Sequence, residues 1–61
     1  MITIYYILET EKDMYYNFFG DIFVYDFDFD CMKVNKEYIE ECAKNLKNRG
    51  YKVEVCSHTF D

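Results

Sequence analysis

The sequence predicts a single α+β domain, in which one helix packs on one face of a small, mostly antiparallel sheet. β-branched and aromatic residues dominate residues 2–9 and 14–29, a helical apolar stripe follows Asn35, and an alternating apolar and polar segment follows Gly50. These observations give the element order βββαβ. Because the 61 residues contain no proline, no internal repeat and no low-complexity stretch, we expect one domain over residues 1–61.

The first predicted strand covers residues 2–9, ITIYYILE, a segment rich in β-branched and aromatic side chains. Side chains alternate between the two faces of a strand, and we expect three of them to face the helix: Ile4, Tyr6 and Leu8. Tyr5 and Ile7 are then left on the other face. A charged cluster at residues 9–13 predicts the turn that follows.

A hairpin is predicted around Gly20-Asp21, which lies between two aromatic runs. Glycine at the first central position suits a type II′ turn, because that turn requires a positive φ there. The turn predicts a register in which Phe19 opposes Ile22 and Tyr16 opposes Tyr25. One face then collects the residues that would contribute to the core: Met14, Tyr16, Phe18, Phe23, Tyr25, Phe27 and Phe29. The other face collects Tyr15, Asn17, Phe19, Ile22, Val24, Asp26 and Asp28.

The helix is the most strongly patterned element of the chain. Asn35 is a favoured N-cap residue, and an apolar stripe follows at the spacing i, i+3, i+4, i+7: Ile39, Cys42, Ala43 and Leu46. Glutamates concentrate near the start and lysines near the end, which suits the helix macrodipole. Gly50 is expected to end the helix as its left-handed C′ residue. Residues 51–57 then alternate as a last strand.

Charge and composition exclude several classes of function. The chain has 7 Lys and Arg against 12 Asp and Glu, a net charge of −5, and no basic cluster, so direct binding of nucleic acid is not expected. No apolar run approaches the roughly 20 residues of a membrane span, and no basic targeting segment begins the chain. Three widely spaced cysteines predict reduced thiols. We therefore expect a cytoplasmic protein.

One face of the predicted sheet is too apolar for a free surface. With the helix on the opposite face, six residues would be exposed: Tyr5, Ile7, Tyr15, Phe19, Ile22 and Val24. Exposed apolar patches of this kind mark partner or self-association surfaces. The alternatives are that the faces of the first strand are assigned the wrong way round, or that a loop or the tail at residues 58–60 covers the patch.

A row of carboxylates is the most unusual feature of the sequence. In a strand, Asp26, Asp28 and Asp30 would lie on one face with roughly 6.6 Å between neighbours. One interpretation is a solvated face whose charges protect a sheet edge. The other is that the row imitates a line of phosphates and occupies a basic groove on another protein. Further carboxylates would join it from the hairpin and from the opposite turn: Asp21, Glu9, Glu11 and Asp13. Aromatic contact area would then come from Tyr15 and Phe19.

In size, acidity, compact α+β organisation and the Asp26-Asp28-Asp30 row, the chain resembles the small acidic inhibitors that phages and other mobile elements make against nucleic-acid-handling defence proteins, including anti-CRISPR proteins. The resemblance implies a class of partner, a basic nucleic-acid-binding protein or complex such as a CRISPR-Cas nuclease complex. It also implies inhibition by occupation of the partner's nucleic-acid-binding or partner-binding surface. For a phage-encoded protein, the location would be the cytoplasm of the host cell.

There are two alternatives, and the first uses the same aspartates. Asp26, Asp28, Asp30 and Glu37 have the spacing of positions 1, 3, 5 and 12 of an EF-hand calcium loop, although Cys31 stands where that loop has glycine and a strand precedes it. A looser divalent site would use Asp28 and Asp30 with either Glu37 or Glu41. The other alternative is a structural homodimer joined through the exposed sheet face, with the acidic residues serving solubility.

Catalysis is not predicted. His58 is the only imidazole, and it follows Ser57 and Cys56 directly, so that neighbouring side chains in a strand point to opposite faces. Gly20 and Gly50 are explained by turn and cap geometry rather than by a phosphate-binding loop. A chain of 61 residues also has little volume for a deep pocket. We therefore predict a non-enzyme without a cofactor.

Overall fold

The computed structural model describes residues 1–61 and confirms the predicted α+β fold. Its strands are β1 (Ile2–Glu9), β2 (Met14–Asn17), β3 (Ile22–Val24) and β4 (Val53–Phe60). A short 3-10 turn spans Phe29–Cys31, and the helix α1 spans Lys36–Asn48. The four strands form one antiparallel sheet in the order β3-β2-β1-β4, and α1 packs against one face of it. That face is called the helix face below, and the opposite one the back face.

β1 is the central strand, and its two neighbours pair with it unequally. All eight of its residues pair with β4, whereas only Leu8 and Glu9 pair with β2. Where β1 and β2 diverge, Lys33 forms a two-bond bridge with Tyr5 (2.7 and 2.9 Å), and the Phe18 amide donates to the Asp30 carbonyl (3.0 Å). The segment after β3 therefore contacts both strands before the chain enters α1.

The core lies between α1 and the helix face. Six buried residues form it: Ile7, Tyr16, Ile39, Ala43, Leu46 and Val53. The helical stripe is as predicted, except that Cys42 is half-buried at its margin. Burial of these side chains is the main source of stability for so small a domain.

The assignment of faces in β1 was wrong. Ile7 is fully buried under α1, and Tyr5 packs against the same cluster, whereas Tyr6 and Leu8 lie on the back face. The register explains the choice, because Ile7 and Glu9 pair with Val55 and Val53 of β4. Both faces of ITIYYILE are apolar, so its alternation alone does not distinguish them.

The hairpin register was also wrong, by two residues. Tyr16 pairs with Phe23 rather than Tyr25, and the connection is a four-residue loop at 18–21. The positive φ falls on Asp21 (50°) and not on Gly20. The side-chain oxygen of Asn17 accepts from the Gly20 amide (3.0 Å), which favours the longer loop. Because the shift is even, Tyr16 and Phe23 keep the predicted helix face.

The ends of α1 match the prediction. The side chain of Asn35 accepts from the Tyr38 amide (3.0 Å), and Gly50 follows the helix with φ of 98°. β4 begins at Val53 and continues to Phe60, beyond the predicted end at 57, because Ile2 and Thr3 of β1 pair with its last two residues. No helix in this fold is long and apolar enough to traverse a bilayer.

Candidate interaction surface

The acidic loop, defined as residues 25–30 with the sequence YDFDFD, follows β3 directly. The predicted strand through this segment was wrong: β3 ends at Val24, the chain bends at Tyr25 and Asp26, and a 3-10 turn begins at Phe29. The Asp28 carboxylate accepts from the Asp30 amide (2.9 Å) and contacts the Cys31 thiol (3.3 Å). Local capping of this kind competes with strand pairing. The three aspartates therefore do not form a straight row.

Every residue of the acidic loop is exposed. Two of its rings are largely in solvent, since Tyr25 is 70% and Phe29 79% exposed. The one ion pair of the chain joins Arg49 and Asp21, so no lysine or arginine of this protein neutralises the three loop carboxylates. The loop consequently presents alternating negative charge and aromatic surface to solvent.

Asp21 has a different role from the loop aspartates. Its carboxylate accepts hydrogen bonds from the Tyr16 hydroxyl (2.5 Å) and from the Arg49 guanidinium (3.1 Å). These two donors lower the pKa of the Asp21 carboxyl. Burial, reinforced by the hydrogen bond to Asp21, raises the pKa of Tyr16 to about 12. Asp21 therefore links the β2–β3 loop to the end of α1, and its charge is paired with that of Arg49.

The two predicted aromatic anchors lie in different places. Phe19 is 89% exposed in the β2–β3 loop. Tyr15 is half-buried on the back face, in a cluster with Tyr6 and Phe27 whose ring centroids are 5.2 to 5.8 Å apart. Tyr15 thus contacts Phe27 of the acidic loop, whereas Phe19 lies in the β2–β3 loop together with Asp21. The structure divides the predicted contact residues between two regions.

A shallow apolar groove of about 320 Å³ lies on the back face next to the acidic loop. Its lining consists of Ile4, Tyr6, Tyr15, Phe27, His58 and Phe60. The sequence interpretation missed most of this set, because it placed Tyr6 and Phe27 on the helix face. Of the alternatives for the apolar patch, the structure bears out the reversed faces of β1. Phe27 of the acidic loop also packs on Tyr6 and Tyr15, whereas His58 and Phe60 belong to β4 and line the groove.

The residues weighed for metal binding and catalysis are dispersed. No three His, Cys, Asp or Glu side chains converge closely enough to hold a metal ion, and Glu37 lies in the first turn of α1. His58 stacks edge-on against Phe60 (4.5 Å between ring centroids) on the back face. Ser57 points to the helix face, because successive residues of β4 alternate. The acidic loop and the groove beside it therefore form the candidate site.

Comparison with protein-family models, with curated proteins and with solved structures found no match to this chain.

Proposed function

We propose that the protein is a non-catalytic interaction protein, which binds a basic surface on a nucleic-acid-binding protein and thereby blocks that surface. The observation that carries the proposal is the exposed acidic loop, whose Asp26, Asp28 and Asp30 have no cationic partner in the chain. This is the class of partner that the small acidic inhibitors bind, and the sequence is similar to those inhibitors in size and charge.

Charge and aromatic surface would have separate effects in such a complex. Carboxylates that approach a basic surface accelerate association and select against acidic partners. Exposed rings such as Tyr25 and Phe29 provide area that excludes water, and aromatic residues are enriched among the side chains that dominate binding energy. The net charge of −5 adds long-range attraction to the same kind of partner.

The form of the contact differs from the one the sequence predicted. A straight row with the spacing of a strand would match successive phosphates, whereas the bent loop places its carboxylates at the irregular positions of a turn. We therefore propose that the loop occupies a basic pocket or groove and does not copy the geometry of a nucleic-acid strand. Competition with nucleic acid follows from shared use of the basic surface.

The test uses the intact protein and nucleic-acid-binding proteins of its source cell, enriched on immobilised DNA. A protein captured from that fraction is purified, and its affinity is measured at several salt concentrations with and without DNA as competitor. We expect the affinity to fall as salt rises and DNA to displace the complex. Asp26→Asn with Asp30→Asn should weaken binding by roughly tenfold or more.

The matched control removes two charges elsewhere. Glu40 and Glu41 are exposed on α1, which covers the face of the sheet opposite Phe27, so Glu40→Gln with Glu41→Gln changes the net charge equally. This control should bind within about twofold of the natural chain, since distant exposed charges are screened. Equal loss in both double variants would reduce the proposal to a general charge effect. Unchanged binding by the loop variant, or binding that DNA does not displace, would contradict it.

A further inference from the structure

The two edges of the sheet differ in how well they are protected against pairing with another chain. β3 is a three-residue edge followed directly by the charged acidic loop. β4 is an eight-residue edge with no proline, no lysine and one charged residue, Glu54. Short strands, proline and charge are the usual protections of an edge. The outer side of β4 largely lacks them and is suited to pair with a further strand.

The bridge at Tyr5 identifies which backbone groups of β4 are available. Tyr5 exchanges both of its hydrogen bonds with Lys33 on the side of β1 that faces β2. Successive residues of an antiparallel strand point their N–H and C=O groups to alternate sides, so the even-numbered residues of β1 bond to β4. Their partners are Glu54, Cys56, His58 and Phe60. The residues between them point their backbone groups to the open edge: Val53, Val55, Ser57 and Thr59.

These four outward residues select one register for pairing with a second copy of β4. In an antiparallel pair about a two-fold axis, outward-pointing residues must face each other. With the axis at Cys56, Val53 faces Thr59 and Val55 faces Ser57 of the second copy, and all four outward residues are paired. An axis at Val55 or Ser57 leaves one of them opposite a residue outside β4.

The side chains around this axis are compatible with self-association. Glu54 faces His58 of the second copy and not another Glu54, which avoids a like-charge pair. A groove of about 400 Å³ runs between α1 and β4, and Lys36, Glu40 and Lys47 of the helix line it together with Glu54. Two lysines and two glutamates leave this flank without net charge. The −5 of the whole chain is therefore not concentrated where two copies would meet.

We propose that the protein forms a two-fold homodimer through antiparallel pairing of β4 with β4 of a second copy, with Cys56 at the axis. The two four-stranded sheets then become one continuous sheet. Four hydrogen-bonded residue pairs form across the axis, each exchanging two backbone hydrogen bonds. The back-face groove, with His58 and Phe60 in its wall, lies beside the new junction in both copies.

Cross-linking tests the register. The two Cys56 residues form a non-hydrogen-bonded pair, for which Cα atoms lie about 4.5 Å apart and within disulfide range. In a Cys42→Ser background, the oxidant diamide should take two electrons and two protons from the paired thiols and leave a covalent dimer. Cys56→Ser should abolish this covalent dimer. In that Cys56→Ser chain, Glu54→Cys and His58→Cys should cross-link when mixed and not when each is alone.

Mass measurement tests the edge itself. Light scattering should give twice the 7.5 kDa of one chain at high concentration. Ser57→Pro removes an outward N–H that β1 does not use, so it should halve the mass while the circular dichroism stays that of a folded chain. Ser57→Ala, which keeps the N–H, should remain dimeric. Thr59→Pro is the second variant if Ser57→Pro does not fold.

Two results would overturn the homodimer. The first is a natural chain that stays at 7.5 kDa up to millimolar concentration, which would leave the β4 edge for a strand of another protein. The second is a dimer that survives in a folded proline variant and gives no cross-link through Cys56. Such a dimer would associate through another surface, of which the back face is the alternative.

Discussion

The helix face and the back face of the sheet are closed in different ways. On the helix face, Ile7 of β1 and Ile39 and Leu46 of α1 are each 1% exposed or less, because the helix and the sheet cover each other there. On the back face, the covering element is the acidic loop, and Phe27, its contact with Tyr6 and Tyr15, remains 40% exposed. Among the strand residues of that face, only Ile4 is buried.

The difference separates stability from recognition. Truncation of a tightly packed aliphatic side chain strongly lowers the free energy of unfolding, because the cavity that remains does not fully collapse. Half-exposed aromatic rings contribute less to folding but retain area that a partner can cover. The helix face should therefore supply most of the free energy of folding, whereas the back face and the acidic loop should tolerate substitution and affect binding.

The largest expected effect is on the helix face. Leu46→Ala should lower the free energy of unfolding by about 2–5 kcal/mol. A core of this size rarely supplies more than about 3–5 kcal/mol in total, so the variant should be largely unfolded without a stabilising solute. Ile22→Ala, at a back-face residue that is 55% exposed, is the control and should cost less than about 1 kcal/mol. Equal costs in urea titrations would contradict the contrast between the faces.

The sequence predicted the helix side of the core better than it predicted the faces of the sheet. The stripe from Ile39 to Leu46 and the cap at Asn35 were predicted because helical periodicity and capping depend on residues within one segment. The faces of β1 were not predicted correctly, because both are apolar. Which face turns toward the helix depends on pairing with β4, which is more than forty residues away along the chain. Local pattern determines an element, whereas long-range register determines its orientation.

The hairpin and the acidic loop show a second limit. Gly20 was taken to supply the positive φ, yet Asp21 adopts it, because hydrogen bonds from Tyr16 and Arg49 hold the Asp21 side chain. Asp28 similarly caps a 3-10 turn in a segment whose alternation predicts a strand. In both places a side-chain oxygen, of Asn17 in the hairpin and of Asp28 in the acidic loop, bonds a backbone amide and competes with strand pairing. The charges of the acidic loop can be read from the sequence, but its bent conformation was not predicted.

A smaller effect is expected where the acidic loop packs on the back face. Phe27→Ala should cost about 1–2 kcal/mol, because the ring is only partly buried and loses its contacts with Tyr6 and Tyr15. Phe29→Ala, in the same loop but 79% exposed, should cost no more than about 0.5 kcal/mol. Urea titration of both variants provides the measurement. If the two costs were equal, Phe27 would not close the back face.

The smallest effect is expected at Asp21, on the link between the β2–β3 loop and α1. Because its folded pKa lies below the unfolded value of about 3.9, the stability it contributes is present above that value and is lost as the pH falls through the lowered pKa. Asp21→Asn should therefore have a lower Tm than the natural chain near neutral pH, with the gap closing in acid. Asp26→Asn removes an equal charge from an aspartate outside any ion pair, and it is the control for the loss of charge itself. Parallel curves of Tm against pH for Asp21→Asn and the natural chain would show that the contacts of the Asp21 carboxylate with Tyr16 and Arg49 contribute nothing to folding.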